Sequence, residues 1–262
     1  MKLVVKIGGQ AAEDAKTRRN VARQIAGLRS SGHDVLVAHG GGKRLTQVLG
    51  MLGIPSEFSN GLRVTDAAAR DAALMVLAGM VNKQWVAELE SAGQPAIGLC
   101  GGDGKLVEAR KLTVRNGARD LGYVGRPCRV NTAVVEMAFE RRMVPVVASL
   151  GLGLRGEYFN INADDFAVAL ANALPAERLI YLTESGGVWD AERRLLSEVR
   201  VREIRPMIRK GVVRDGMIPK LLSCARVLAG GVEEIDMISY VLPDGLLKLF
   251  SQRDHSGTRI VK

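Results

Sequence analysis

The sequence predicts an α/β protein in which a mainly parallel sheet is sandwiched by helices. Two observations carry this. Short apolar runs of strand character alternate with helically periodic segments over the whole length. Two of the first runs also end in glycine turns. Leu3-Val4-Val5-Lys6-Ile7 enters Gly8-Gly9, and Val35-Leu36-Val37-Ala38-His39 enters Gly40-Gly41-Gly42 and then a helix. In a parallel sheet both turns emerge at one edge, where such sheets bind ligands. The 262 residues suffice for one large α/β domain or two small lobes.

In order, residues 3–7 are a strand. A polar stretch follows, and a helix runs to about Ser30 with Val21, Ile25 and Leu28 on one face. The triglycine strand comes next, with a helix marked by Leu45, Val48, Leu49 and Leu52 and ended by Gly53-Ile54-Pro55. Residues 58–66 form a turn into a long helix over 67–92, capped by Thr65 or Asp66, with Leu74, Leu77, Val81, Trp85 and Leu89 at helical spacing. Residues 95–100 are a strand. Residues 105–130 alternate and hold Asn116-Gly117, a hairpin signal. A helix is expected over 131–142, a buried strand over 144–148, a glycine-rich loop over 149–156 and a helix over 166–174 ended by Pro175. The pattern then restarts with a strand over 178–182 and a turn at Glu184–Val188. Short elements over 195–210, a loop over 211–220, a helix over 221–228, a strand over 235–239 and a short helix over 246–250 complete it. Pro175 is the natural boundary between lobes, 1–174 and 175–262.

Composition narrows the function. Apolar residues make up 47% of the chain but aromatics only 4%, so the core must be aliphatic. The formal charge of +9 is spread over scattered Lys and Arg with few aromatics between them. That favours attraction of small anionic substrates over nucleic acid, with a basic surface of no function as the competing account. Cys100, Cys128 and Cys224 are widely spaced, odd in number and lack metal-ligand spacing, which suits reduced thiols in a cytosolic protein. No leader peptide and no run of membrane-spanning length is read, so a soluble intracellular protein is expected.

The triglycine stretch is either an anion cradle or an ordinary tight turn. Gly41 and Gly42 would let backbone N–H groups approach a phosphate at a helix start, and the spacing excludes both the P-loop and the dinucleotide fingerprint. Lys6 and Lys220 adjoin glycine-containing loops, and two ammonium groups on one phosphoryl group would neutralise charge during transfer; the alternative is solvated surface lysines. Asp164 could hold them in place while Asp165 caps the following helix, or the cluster Asn160, Asn162, Asp164 and Asp165 could serve only as caps. Arg63 is either an exposed loop arginine or a grip for a substrate carboxylate. His39 is assigned a structural hydrogen bond near the loop rather than general base catalysis.

Seven motifs in order carry a resemblance over nearly the full chain. They are Lys6-x-Gly8-Gly9, His39-Gly40-Gly41-Gly42, Asn60-Gly61-Leu62-Arg63-Val64-Thr65, residues 76–83, Leu121-Gly122-Tyr123-Val124-Gly125, Asn160-Ile161-Asn162-Ala163-Asp164 and Gly216-Met217-Ile218-Pro219-Lys220. The set resembles the acetylglutamate kinases of the amino acid kinase family. That resemblance implies an open αβα sandwich with about eight strands, dimerising through the acyl-substrate lobe. It implies Lys6 and Lys220 as phosphoryl-stabilising lysines with Asp164 organising them, and Gly41, Gly42, Arg63 and Asn160 as binding N-acetylglutamate and the transferring group. ATP would sit on the second lobe and the first turn, at Gly8, Gly9, Glu184, Ser185, Gly186, Gly187, Val188, Trp189, Val212, Val213 and Arg214, with Mg2+ held mainly by ATP oxygens rather than a protein metal site.

The chain departs from the family in the nucleotide turn, Leu182-Thr183-Glu184, where Asp is usual. It departs also at Gly102, where a lysine is usual, and in Asp244-Gly245-Leu246-Leu247. The implied activity is phosphorylation of a γ-carboxylate, an acceptor that needs no general base. Rival readings are a kinase of the same fold acting on a carrier-linked aminoadipate or glutamate, and a ligand-sensing module that keeps the fold without catalysis. The retained Lys6, Asp164 and Lys220 speak against the latter. With the first strand at Leu3, a homodimer insensitive to arginine is expected.

Overall fold

Alternate residues of the first two strands face different layers of helices. The computed structural model describes residues 1–59, 61–113, 120–213, 217–250 and 257–262. In it, β1 (Lys2–Ile7) sends Leu3, Val5 and Ile7 into one core and Val4 into the other. After a short turn and α1 (Ala15–Ser30), β2 (Asp34–His39) repeats the pattern, with Val35 and Val37 opposite Leu36 and Ala38. Period-two placement of apolar residues on both faces is what a parallel strand covered on two sides requires.

The chain continues through α2 (Gly42–Met51) and a small hairpin, β3 (Phe58–Ser59) and β4 (Leu62–Arg63). Asp66 then caps α3 (Ala67–Ala73) by accepting from the Ala69 N–H at 2.8 Å, and Thr65 does not serve as the cap. A π-helical stretch (Leu74–Val81) and α4 (Asn82–Ser91) follow without a break, so the long helix expected over 67–92 is present with a widened middle. Next come β5 (Ala96–Cys100), β6 (Val107–Lys111), β7 (Val124–Val130), α5 (Ala133–Glu140) and β8 (Val144–Ala148). They are followed by β9 (Leu150–Leu152), β10 (Tyr158–Ile161), α6 (Ala163–Ala173) and β11 (Arg178–Thr183). The chain ends with β12 (Glu198–Arg200), α7 (Val201–Arg209), α8 (Met217–Ala229), β13 (Glu234–Ser239), α9 (Gly245–Lys248) and β14 (Gly257–Val261).

Eight strands form the main sheet in the order β12-β14-β13-β11-β1-β2-β8-β5. The inner run from β13 to β5 is parallel throughout. β14 pairs antiparallel with β13 and parallel with β12, so this edge runs the other way. One face packs on α1, α2, the long helix and α9, and the other on α5, α6, α7 and α8. Beside this sandwich, β6, β7, β9 and β10 close into a small four-stranded barrel. Among the described residues no helix is long and apolar enough to cross a membrane.

Several local expectations need correction. The region 149–156 is not only loop, because β9 lies within it and pairs with β10 and β6; a three-residue strand has no period of its own to detect. β10 and β14 were likewise not expected. α6 starts at Ala163 rather than 166, and its cap is Asn162, whose side chain accepts from the Asp164 N–H at 2.9 Å and the Asp165 N–H at 3.3 Å. Asp165 is therefore not the cap. α8 starts at Met217, which takes Lys220 out of the expected loop and into a first helical turn; Pro219 is tolerated there because first-turn N–H groups have no intrahelical partner. The Asn116-Gly117 turn lies outside the described residues, although β6 and β7 on either side of it pair antiparallel.

Phe166 on α6 is fully buried between that helix and the sheet. Phe166→Ala should cost about 3–5 kcal/mol by lost burial and a residual cavity. Urea denaturation checks this, and a loss under 1 kcal/mol would mean that α6 is not anchored through this ring.

Candidate active site

The parallel strands end together, and their following turns meet at one edge. Ile7 on β1 is in register with His39 on β2 and with Leu182 on β11, and His39 with Ala148 on β8. The Gly8 N–H donates to the Leu182 carbonyl at 3.2 Å, and the Ser149 N–H to the His39 carbonyl at 3.1 Å. The two glycine turns face each other across a gap. A Cβ on Gly9 would stand 3.6 Å from the Gly42 nitrogen and 3.9 Å from the Gly41 nitrogen. Gly41 has φ +156° and lies so close to the long helix that a Cβ would fall 2.8 Å from Leu77 Cδ2. Only glycine brings the backbone in this far.

A cavity of about 220 Å³ opens at this edge. Lys6, Gly9, Gly41, Gly42, Arg63 and Asn160 all line it. It is smaller than the roughly 300–1,000 Å³ of pockets for drug-sized ligands, which suits a molecule of amino-acid size. Arg63 is buried rather than exposed. Its guanidinium donates to the Gly42 carbonyl at 2.9 Å, to Thr46 Oγ1 at 2.8 Å and to Ser56 Oγ, and it stacks over the Phe58 ring at 4.6 Å. All those acceptors are neutral, and burial lowers the Arg63 pKa from its ordinary value. The Asn160 amide reaches Thr65 Oγ1 at 3.4 Å.

Two lysines and one carboxylate form the charged part. Lys6 Nζ is 2.6 Å from Asp164 Oδ1, and Lys220 Nζ is 2.9 Å from Asp164 Oδ2. Lys220 Nζ also lies 5.0 Å from the Tyr181 ring centre. Burial would raise the Asp164 carboxyl, but the two ammonium groups hold it down at about 2. Burial pushes the Lys6 ammonium below its ordinary value; Asp164 opposes that shift and the Lys220 charge adds to it. The site therefore sets two lysine side chains against one carboxylate, next to the starts of α2, α6 and α8.

The sequence profile of the amino acid kinase family matches residues 1–239. The chain belongs to that family. The acetylglutamate kinase of Koribacter versatilis is 45% identical over 261 residues, covering 100% of this chain and 99% of that protein. The acetylglutamate kinase of Acidobacterium capsulatum is 43% identical over 265 residues, covering 100% and 99%. Among solved structures, N-acetylglutamate synthase from Neisseria gonorrhoeae, complexed with coenzyme A and N-acetyl-glutamate, superimposes with a TM-score of 0.88 at 26% identity. That match covers 100% of this chain and 59% of the synthase, so the chain spans about three-fifths of that protein.

For an amino acid kinase, the residues expected at the nucleotide are less tightly grouped than those at the acceptor. The turn Glu184–Trp189 follows β11 on the same edge as Gly8-Gly9. Glu184, Ser185 and Trp189 are exposed, and Trp189 Nε1 donates to the Ser185 carbonyl at 2.9 Å. Gly186 and Gly187 are buried against Ser239 and Thr258. Val188 and Val213 have side chains in the core, which leaves only their backbone for a ligand, and Val212 is half-buried. Arg214 lies outside the described residues, as do Asn60 and Gly216 of the motifs. Sequence reasoning missed Ser56, Thr46 and Phe58 around Arg63, and Asn82, which bonds to His39. Only Asn82 left a signal, a polar residue after the apolar run 74–81.

Asp164→Asn removes the charge that raises the Lys6 pKa. With Lys220 still adding to the lowering, the Lys6 ammonium should lose its proton at a lower pH than in the wild type. Carbon-13 NMR titration of the lysine ε-carbons measures this. An unchanged Lys6 midpoint would show that Asp164 does not govern it.

Proposed function

We propose that this chain is an acetylglutamate kinase that transfers the γ-phosphoryl group of ATP to the γ-carboxylate of N-acetyl-L-glutamate, giving an acyl phosphate and ADP, in cytoplasmic arginine biosynthesis. The observation that carries the reading is the Asp164 carboxylate shared between Lys6 and Lys220 at a cavity that also holds the buried Arg63. The full-length similarity to acetylglutamate kinases supports the choice of acceptor.

The acceptor carboxylate is ionised at neutral pH, so one of its oxygens attacks the γ-phosphorus directly, the bond to the leaving ADP oxygen breaks, and no proton has to be removed. Lys6 and Lys220 neutralise charge on the transferring oxygens, and Asp164 keeps two like charges side by side. Gly41 and Gly42 offer backbone N–H groups to the transferring group; the Gly42 N–H opens α2 and has no intrahelical acceptor. Arg63 and Asn160 hold the amino-acid end of the substrate. Catalysis on this reading is positioning and electrostatics.

Residues 1–174 form the acyl-substrate lobe and residues 175–262 the nucleotide lobe, on one continuous sheet. ATP takes the Gly8-Gly9 turn, the Glu184–Trp189 turn and residues 212–214. On this reading a magnesium ion would be held mainly by nucleotide oxygens. Met75 and Met80 are exposed on the long helix and suit a two-fold interface, the commonest oligomer symmetry, for a homodimer.

The deciding experiment is ATP-dependent acyl phosphate formation, trapped with hydroxylamine, from free N-acetylglutamate against a carrier-linked aminoadipate or glutamate. Turnover of the free acid alone is expected; turnover only of the linked substrate would move the reading to a carrier-dependent kinase, and binding without turnover to a sensor.

Lys6→Met and Lys220→Met should each lower kcat roughly 10²–10³-fold, the usual cost of one lost electrostatic donor, with smaller effects on either KM. Near-normal kcat in either variant removes that lysine from the transfer step. Arg63→Lys keeps the charge without the planar guanidinium and should raise KM for acetylglutamate far more than KM for ATP. Equal rises in both would assign Arg63 to the fold of the site instead.

A further inference from the structure

Asn82 opens α4 at the end of an apolar helical run, is fully buried, and takes no part in the transfer chemistry described above. Its amide nitrogen lies 2.8 Å from the Val146 carbonyl, 3.2 Å from the Leu99 carbonyl and 3.1 Å from His39 Nε2. His39, buried at the end of β2, has its other ring nitrogen, Nδ1, 2.7 Å from the Gly40 carbonyl oxygen. These bonds fix the tautomer. The Gly40 oxygen only accepts, so the single ring proton sits on Nδ1 and is donated to it, and Nε2 is left as an acceptor sharing the two Asn82 amide hydrogens with the Val146 and Leu99 carbonyls.

The helix is shaped for this contact. In an α-helix, the fifth residue on is rotated about 140° from the first, on another face. Over Leu74–Val81 the helix is π, and bonding from i to i+5 widens each turn so that position 82 comes round towards position 77. Leu77 and Val81 press on Gly41 while Asn82 reaches His39. Room for the Asn82 side chain comes from Gly98, where a Cβ would fall 2.0 Å from Asn82 Oδ1.

We propose that Asn82 and His39 are positioning residues that set the triglycine loop for phosphoryl transfer. The Gly40 carbonyl and the Gly41 N–H belong to one planar peptide and point in opposite directions. A bond that pins the Gly40 oxygen therefore aims the Gly41 N–H. The proposal rests on the kinase reading and extends it by naming what holds its backbone donors. Burial keeps the His39 imidazole neutral, with its pKa pushed down to about 4 and the bond to Gly40 opposing the shift. The charged groups on the surrounding elements are Lys83 on α4, which donates to the Gly98 carbonyl at 3.3 Å, Lys6 beside the residue in register with His39, and Asp164 paired with Lys6.

The test separates the two ring nitrogens. His39→Asn places an amide nitrogen where Nδ1 stands and should keep most of kcat, whereas His39→Gln places one where Nε2 stands and should lose roughly 10²-fold, the cost of a small misplacement at the reacting centre. Asn82→Asp replaces the donor by an acceptor. Neutral His39 then moves its proton to Nε2 and turns a lone pair toward the Gly40 oxygen, while the doubly protonated ring serves both sides. The kcat of Asn82→Asp should therefore recover as pH falls, on a limb that the wild type lacks. Nitrogen-15 NMR should show the His39 proton on Nδ1 in the wild type and on Nε2 in Asn82→Asp above that limb, with the Gly41 amide shift moving alongside.

Equal impairment of the two His39 variants, a flat pH profile in Asn82→Asp, or a Gly41 amide indifferent to the tautomer would each overturn the proposal. So would failure of all three variants to fold, which would make the network a matter of stability alone. An inactive wild type would instead strike at the kinase reading, and the NMR comparison would still decide this one.

Discussion

Everything at the proposed site depends on keeping two lysine side chains close together without their repelling each other apart, so that both can reach one phosphoryl group on the kinase reading. Asp164 does this with one oxygen for each, at 2.6 and 2.9 Å. The three side chains come from β1, α6 and α8, so the ion triad also ties distant parts of the chain together. Stability is a poor explanation for it, since buried ion pairs roughly break even against apolar packing. Charge balance is a better one. Each ammonium has three N–H donors and gives one to Asp164, which leaves donors on both lysines for an arriving anion.

The surrounding backbone reinforces the same sign. α2 begins at Gly42, α6 at Ala163 and α8 at Met217, and each start contributes unpaired N–H groups and partial positive charge. β1, β2, β8 and β11 are parallel and end in register, and α2 opens directly from the end of β2. The starts of α6 and α8 reach the same edge by other routes, α6 from β10 of the barrel and α8 after α7.

How much of this was legible in the sequence follows from how local each signal is. The glycine turns after β1 and β2 could be read because strand, glycine and helix succeed one another within ten residues. Lys6 and Lys220 stood out locally only by adjoining glycine-containing loops, and Asp164 only within a polar cluster that could equally cap a helix; motif order was needed to favour the functional reading over surface charges and caps. The burial of Arg63 was not legible, because it depends on Ser56, Thr46, Gly42 and Phe58 closing round it from different elements. β9 escaped for a related reason, being stabilised by pairing with β10 and β6 rather than by its own pattern. The π stretch was invisible too. Its apolar residues fit an α-helical stripe equally well, and what marks the difference is the backbone bond from the Asn82 N–H to the Leu77 carbonyl, five residues back.

Arg63 and Lys6 line one small cavity, yet they meet a ligand in different ways. The Arg63 guanidinium is held by three neutral acceptors and a ring face, so its position is set before any substrate arrives. Three of its five N–H donors are occupied among the described residues, and an anion at the others would relieve a buried positive charge. Lys6 is a point charge on a flexible stem, shared with Asp164 and able to follow oxygens that move during transfer. On the proposed function, a rigid cation and an adaptable one within about 220 Å³ suit a short molecule with an anionic group at each end, held at Arg63 and reacting at Lys6.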